Sequence, residues 1–453
     1  MAFDILLINP PYKKGGFNRE GRCTQEAGFW ATPWPPYSLA MLAAILRTDH
    51  TVRVLDCPAQ RVTDDKLLAV VAEQRPDILV AAVSTETIES DLAILAAIKE
   101  HAPKTVVVVF GIHATMYASD LAGGAADFVV RNEPEETVRE LVAALASGGN
   151  PLRVAGVTGR SASAAVVSAT DRPFVRDLDN LPFPAWDLVD LSRYRLPVSR
   201  RKFIMVNTLR GCPFGCTFCN ARVYYGTAAR LRSVGSVLAE VTASLERYGV
   251  RDVFFWSDTF TLVRDHVRGL CDEFVRAGLR IRWVANSRVD TVDAELLRLM
   301  KKAGCWMVSF GLESADDGIL ARSGKKITRA RIEESVRAAK AAGLMVAGHF
   351  MLGLPGETAA TANETVRLAL RLPLDFAHFY AAVPVPGSAL FAEAEGAGLL
   401  RKAAWEHFRQ SEFVLNVPGL SAEDLYTLRR KAYHAFYFRP RTLKTVARVI
   451  TAG

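Results

Sequence analysis

Arg210-Gly-Cys212-Pro-Phe-Gly-Cys216-Thr-Phe-Cys219-Asn220 puts three cysteines within eight residues, directly after an apolar run at 203–208. Further apolar runs follow at 253–256, 281–285, 306–310, 345–350 and 376–380, each succeeded by helix-like sequence. Continuous rather than alternating apolar runs belong to strands buried on both faces, hence to a parallel sheet. Six β/α pairs fit a partial barrel, whose chemistry sits on the loops after the strands; the cysteines occupy the first such loop.

Upstream the pattern is similar. Runs at 5–8, 52–55, 78–83, 105–110 and 128–130 alternate with amphipathic stretches at 39–47, 64–74, 90–101 and 135–146. This β-α-β order implies a doubly wound five-strand parallel sheet with right-handed crossovers. Residues 151–200 lapse into short β-like pieces and a Pro-studded stretch, Leu181-Pro-Phe-Pro-Ala-Trp186. The expected α/β organisation is a sheet domain over 1–150, a linker over 151–200, a barrel over 201–395 and a helical extension over 396–453.

From Leu400 onward, ten basic residues stand against four acidic ones, so most of the chain's net charge of +8 lies there. Tyr426, Tyr433, Phe436, Tyr437 and Phe438 are interleaved with them. The expectation is a helix packing its aromatic side on the barrel, with peripheral membrane contact as the alternative. The charge is too diffuse for a nucleic-acid protein.

Three thiolates spaced C-x3-C-x2-C can converge on one small inorganic body, with Gly211 and Gly215 letting the backbone turn tightly around it. A closed zinc site wants four ligands, and no fourth Cys or suitably spaced His is near. A [4Fe-4S] cluster on three cysteines leaves one iron open, which suits catalysis better than plain electron transfer. The other cysteines, Cys23, Cys57, Cys271 and Cys305, read as small buried apolar residues.

The triplet, with Phe218 immediately before its last cysteine, resembles the signature of the radical S-adenosylmethionine (SAM) enzymes, whose barrel is a partial (β/α)6. The resemblance implies that Cys212, Cys216 and Cys219 hold the cluster and that its open iron binds SAM. An electron from a flavodoxin or ferredoxin then cleaves SAM to methionine and a 5′-deoxyadenosyl radical. By the same resemblance Asp258 holds the SAM amino group, and Glu313 and Ser314, in a Gly-x-Glu-Ser segment, lie near SAM, where a carboxylate can accept ribose hydroxyls. Arg288 meets a SAM or substrate carboxylate, or instead forms an ion pair with Asp258 or Glu313. Gly353-Leu-Pro-Gly356-Glu357-Thr358 resembles a recurrent turn of the family, and Glu357 or Thr358 reads as a cap of the next helix.

A five-strand sheet ahead of such a barrel resembles the cobalamin (B12)-binding subgroup. The likeness is carried by Leu7-Ile-Asn-Pro10-Pro11, Pro35-Pro-Tyr-Ser-Leu-Ala40, Val109-Phe-Gly111-Ile-His113-Ala-Thr115 and Val130-Arg-Asn-Glu133-Pro-Glu-Glu136. Ligands of open parallel sheets sit beyond the carboxyl ends of the strands, where Asn9, Ser84, Thr85, Gly111 and His113 fall. These are the corrin-site candidates. No Asp-x-His-x-x-Gly is present, and Ile112 replaces the subgroup's usual second Gly. His113 is either an axial ligand or a buried structural histidine.

The resemblance implies methyl transfer to an unactivated carbon. Anaerobic oxidative cyclisation of a magnesium porphyrin ester is the runner-up, and tRNA methylthiolation, a cobalamin-binding sensor and an electron carrier are the remaining rivals. The substrate is a small molecule; Trp256, Trp283, Trp306, Phe379 and Tyr380 could line a lipid or tetrapyrrole pocket, or be plain core.

The composition excludes other classes. With 50% hydrophobic and 23% charged residues, and only 31 Gly and 21 Pro in 453 positions, the chain is neither disordered nor fibrous. The longest mostly apolar stretch, 27–46, is broken by Pro33, Pro35 and Pro36 and does not read as a membrane span. Seven cysteines, an odd number, with no basic, apolar leader at Met1-Ala-Phe-Asp4, point to a reducing compartment and a cytoplasmic protein.

Overall fold

The structure, a computed structural model, describes residues 1–13, 15–20, 23–26, 32–197, 199–401 and 403–451. The chain forms two compact units. The first takes in Met1–Pro197 with Val223–Gly226 and Ala404–Glu406; the second takes in Val198–Arg222, Thr227–Ala403 and His407–Gly453.

The first unit is built on β1 (Asp4–Asn9), β2 (Thr51–Asp56), β3 (Ile78–Ala82), β4 (Val106–Phe110) and β5 (Phe128–Val130), in the parallel order β2-β1-β3-β4-β5. The apolar runs form it because each strand must be buried on both faces: Leu6 and Ile8 enter one core layer and Ile5 and Leu7 the other. Helices α1 (Tyr37–Leu46) and α4 (Pro134–Ser147) cover one face, and α2 (Asp64–Gln74) and α3 (Ile88–His101) the other.

Two features extend the five-strand reading, the first of them in the stretch already marked by short β-like pieces. The stretch read as a linker contributes β6 (Val157–Arg160) and β7 (Val166–Ser168), which extend the sheet antiparallel to seven described strands. Phe17–Glu20 and Cys23–Glu26 pair as an antiparallel hairpin. Both are short, and neither has the long apolar run that marks a central strand. The side chain of Cys23 lies outside the described residues; Cys57, Cys271 and Cys305 are buried as expected.

In the second unit, β8 (Phe203–Val206), β9 (Asp252–Phe255), β10 (Arg282–Ser287), β11 (Cys305–Glu313), β12 (Met345–Leu352) and β13 (Phe376–Ala381) pair in parallel and in sequence order. One face of this open barrel meets the helices through fully buried rings: Phe255, Phe260, Phe274 and Trp283 contact one another there, and Trp283 donates its indole N–H to the Ala303 carbonyl at 2.8 Å. Trp283 and Phe379 are therefore core, not pocket lining.

The helices α5 (Ala422–Tyr437) and α6 (Pro440–Thr451) end the chain. The aromatic side of α5 turns onto β13: the Phe379 N–H donates to the Tyr433 hydroxyl at 3.1 Å, and the Tyr437 hydroxyl takes the Ala377 N–H at 3.2 Å while donating to the Ala377 carbonyl at 2.8 Å. Phenols thus satisfy part of an edge strand that no neighbouring strand covers. Because Tyr433, Phe436 and Tyr437 are spent on the barrel, peripheral membrane contact through this face is not supported. No described helix is long and apolar enough to cross a membrane.

Candidate functional site

The cysteine loop leaves the barrel through a two-residue strand, Leu209–Arg210, paired antiparallel with Arg230–Leu231. Cys212, Cys216 and Cys219 are half-buried and unbridged. The loop is tied down from three sides. Gly211 donates its N–H to Asp258 Oδ2 at 3.2 Å; Thr217 donates to the Ser323 carbonyl at 2.9 Å and accepts from the Leu390 N–H at 2.8 Å; Cys219 donates to the Cys216 carbonyl at 3.2 Å. Phe218, the aromatic residue before the last cysteine, packs against a small core of Ile319, Met351, Leu354 and Ala382. Gly324 closes over the loop so tightly, at φ +67°, that an added Cβ would stand 2.3 Å from the Gly215 carbonyl oxygen.

Burial pushes the Cys216 thiol up, against the pull of Lys325 and Arg288. Among the described residues no three His, Cys, Asp or Glu side chains stand as a ready single-ion site. A cuboidal cluster asks for something else, one thiolate at each of three corners. Three unbridged thiols, two cations beside one of them and a backbone cradle closed by glycine fit such a group.

The other barrel candidates surround this loop. Asp258 accepts the Gly211 N–H and so is placed at the first cysteine. Glu313, in the left-handed region at φ +60°, binds the ammonium of Lys325 at 2.8 Å, both side chains under 10% exposed. Strain of this kind in a non-glycine residue is held where the surroundings over-determine it. Ser314 is fully buried, with its hydroxyl 3.3 Å from that of Thr365 and accepting the Asp316 N–H at 3.2 Å. Arg288 pairs with neither Asp258 nor Glu313; its partners are Asp290, the Lys325 carbonyl and Cys216. In the turn after β12, Thr358 is the helix cap, while the Glu357 carboxylate accepts the Gly353 N–H and burial lifts its pKa to about 7.

The opposite face of the barrel strands carries half-buried Asn286, Ser309, His349, His378 and Tyr380. The three rings lie parallel, His349 on His378 at 5.1 Å and on Tyr380 at 5.7 Å. Burial drops the imidazoles to about 4 and about 3, so both are neutral near pH 7. The sequence reading missed Lys325 and both histidines, which no motif spacing marks.

In the first unit the corrin candidates gather at the carboxyl ends of β1, β3 and β4. Asn9 is 2% exposed; its Nδ2 donates to Asp56 Oδ1 at 3.3 Å, but its Oδ1 has no partner. The Ser84 hydroxyl meets that of Thr87 at 2.8 Å. Thr85 Oγ1 lies 3.2 Å from His113 Nδ1, and His113 packs against Tyr117 and edge-on to Trp405. Burial lowers His113 to about 4, leaving it neutral. Gly111, at φ +130°, has no room for a Cβ, which would stand 2.3 Å from the Val83 carbonyl oxygen. Beneath lies a buried ion pair of Arg19 with Asp91 at 2.8 Å, unmarked in the sequence because its members are 72 residues apart. A glycine-tight strand end with an orphaned buried amide oxygen fits an amide-rimmed ligand such as a corrin.

Residues 206–369 match the Radical SAM superfamily and residues 30–142 the B12 binding domain. An uncharacterized methyltransferase of Pyrococcus horikoshii is 33% identical over 442 residues, covering 97% of this chain and 93% of that protein. The anaerobic magnesium-protoporphyrin IX monomethyl ester cyclase of Rubrivivax gelatinosus is 29% identical over 396 residues, 86% of this chain and 69% of that one. In fold, the chain is similar to the radical SAM methyltransferase TsrM of Kitasatospora setae, whose structure contains cobalamin and a [4Fe-4S] cluster. That match has a TM-score of 0.74 at 20% identity and covers 97% and 90% of the two chains. The α/β sheet, the partial barrel, the helical C-terminal part and these matches agree: the chain belongs to the radical SAM enzymes that carry a cobalamin-binding domain.

Proposed function

We propose that the protein transfers a methyl group from SAM to an unactivated carbon of a small molecule, using a [4Fe-4S] cluster and cobalamin. The observation that carries this reading is the loop of three half-buried, unbridged cysteines at the head of the barrel, clamped by Ser323 and Gly324. Cys212, Cys216 and Cys219 would hold the cluster, and Asn9, Ser84, Thr85, Gly111 and His113 would border the corrin. When bound, the cluster supplies an electron to SAM and the corrin carries a methyl group.

The chain's own part is binding and shielding. Asp258, fixed at the first cysteine, offers a carboxylate to an ammonium. Glu313, held by Lys325, presents its carboxyl group at a fixed strand end, and Ser314 anchors that end. Neutral His349 and His378 can hydrogen-bond a substrate without adding charge beside the cluster loop. Electrons come from a flavodoxin- or ferredoxin-type protein in the cytoplasm.

Similarity to the Rubrivivax cyclase favours oxidative ring closure as a second reading. Anaerobic reconstitution with iron, sulfide and cobalamin, followed by reduction with SAM, separates them. Methyl transfer leaves S-adenosylhomocysteine together with 5′-deoxyadenosine, whereas ring closure leaves deoxyadenosine alone. Cys212→Ala, Cys216→Ala and Cys219→Ala should each lose bound iron and at least about a hundredfold of deoxyadenosine formation, on the scale of losing an essential catalytic group. Full activity in any of the three sinks the reading.

A further inference from the structure

Cys216 has a cationic neighbour whose other contacts leave it little freedom. The Arg288 guanidinium donates from Nη1 to Cys216 Sγ at 3.6 Å. Its Nε and Nη2 reach the two Asp290 oxygens at 2.9 and 2.8 Å, and Nη2 also donates to the Lys325 carbonyl at 2.6 Å. The face of the group lies on the Phe214 ring, 3.7 Å from its centroid. Arg288 is 5% exposed. One edge of the fork is committed to Asp290 and one face to an aromatic ring, so a bidentate clamp on a further carboxylate would have to break existing bonds.

We infer that Arg288 is a positioning residue that raises the reduction potential of the group held by Cys216, rather than a clamp for a SAM or substrate carboxylate. This rests on the reading that the three cysteines hold an iron-sulfur cluster. An N–H donated to a thiolate ligand, together with a fixed positive charge, stabilises the more negative reduced state. Asp290 does not cancel the effect. Its side chain is 29% exposed and lies on the edge of the guanidinium away from the sulfur, so solvent screens it while the positive end faces Sγ. Lys325 is a second cation near Cys216, but its ammonium is paired with Glu313.

The test compares the native chain with Arg288→Gln, Arg288→Lys and Phe214→Leu, all reconstituted anaerobically with iron and sulfide, without SAM. Iron is counted, and the midpoint potential is read from a reductive titration followed by electron paramagnetic resonance. Arg288→Gln should shift to a more negative potential than the native chain. Arg288→Lys should fall between the two, because a point charge remains but the fork is lost. Phe214→Leu, which keeps every charge and frees the guanidinium, should shift slightly in the same direction. A loaded Arg288→Gln with the native midpoint overturns the inference, and weaker binding of SAM added to that variant after the titration would assign Arg288 to a carboxylate clamp instead. If that variant takes up no iron, native midpoints in both Arg288→Lys and Phe214→Leu overturn it equally. A native chain that takes up no iron overturns the cluster reading itself, an outcome visible before any potential is measured.

Discussion

Single residues at the cysteine loop act through the space they leave. Gly324 is the clearest case, since its positive φ and the 2.3 Å approach of the Gly215 carbonyl both forbid a side chain. Gly324→Ala should cost more than about 1 kcal/mol, the ordinary scale for a side chain forced into a left-handed position. The displaced loop should also bind less iron while secondary structure stays native. Denaturant midpoints and iron content check this, and native values for both would show that the clamp is not needed. The cysteines and Phe218 were legible because their spacing is local. Arg288 was legible as a charged residue at a strand end, but not its partner, because nothing in the chain between 216 and 288 says that those loops meet.

At the level of elements, the apolar runs marked all the parallel strands to within a few residues. Burial on both faces demands long β-branched and aromatic runs, and such runs leave a clear trace. The antiparallel pair after β5 was legible only as short β-like pieces in a linker, and the hairpin at Phe17–Glu20 was missed, because neither carries the long apolar run of a central strand. The aromatic side of α5 was expected on the barrel, but its task, hydrogen-bonding an edge strand, was not. Tyr437→Phe removes a hydroxyl that both accepts from and donates to Ala377, leaving those backbone groups without that partner. The expected loss is about 1 to 2 kcal/mol, read as a lower urea midpoint with unchanged slope. An unaltered midpoint would mean that water replaces the phenol.

For the molecule as a whole, buried titratable groups shape stability against pH. His113, His349 and His378 fall by burial to about 4, about 4 and about 3, below the ordinary 6.5. The unfolded chain therefore binds protons that the folded chain refuses, and this stability, complete above 6.5, is lost as pH falls toward 4. Glu20 and Glu357 act in the opposite sense. Burial raises them to about 8 and about 7, so the folded chain keeps protons that the unfolded chain releases above 4.5. Their contribution is complete below 4.5 and is lost as pH climbs through 7 and 8. Buried Asp56 and Asp91 are raised as well, by burial, and act in the same sense as the two glutamates. Thermal midpoints should fall as pH climbs through 7 and 8, where the histidine contribution is already flat and only the carboxyl groups still titrate. Glu357→Gln, which keeps an acceptor for the Gly353 N–H, should flatten the alkaline limb. A profile that Glu357→Gln leaves unchanged would remove that carboxyl group from the account.

The amino-acid order by itself determined the two β/α series, the place of the cysteine loop and the family that its spacing resembles. Those features are written in neighbours and short periods, which a chain carries before it folds. Only the tertiary structure decided which charge meets which: Arg288 with Cys216 across 72 positions, Arg19 with Asp91 across another 72, and Lys325 with Glu313 across a strand end. Such pairings depend on where separate loops cross and how little water reaches them. A buried charge chooses its partner by proximity in space, and sequence spacing does not encode that proximity.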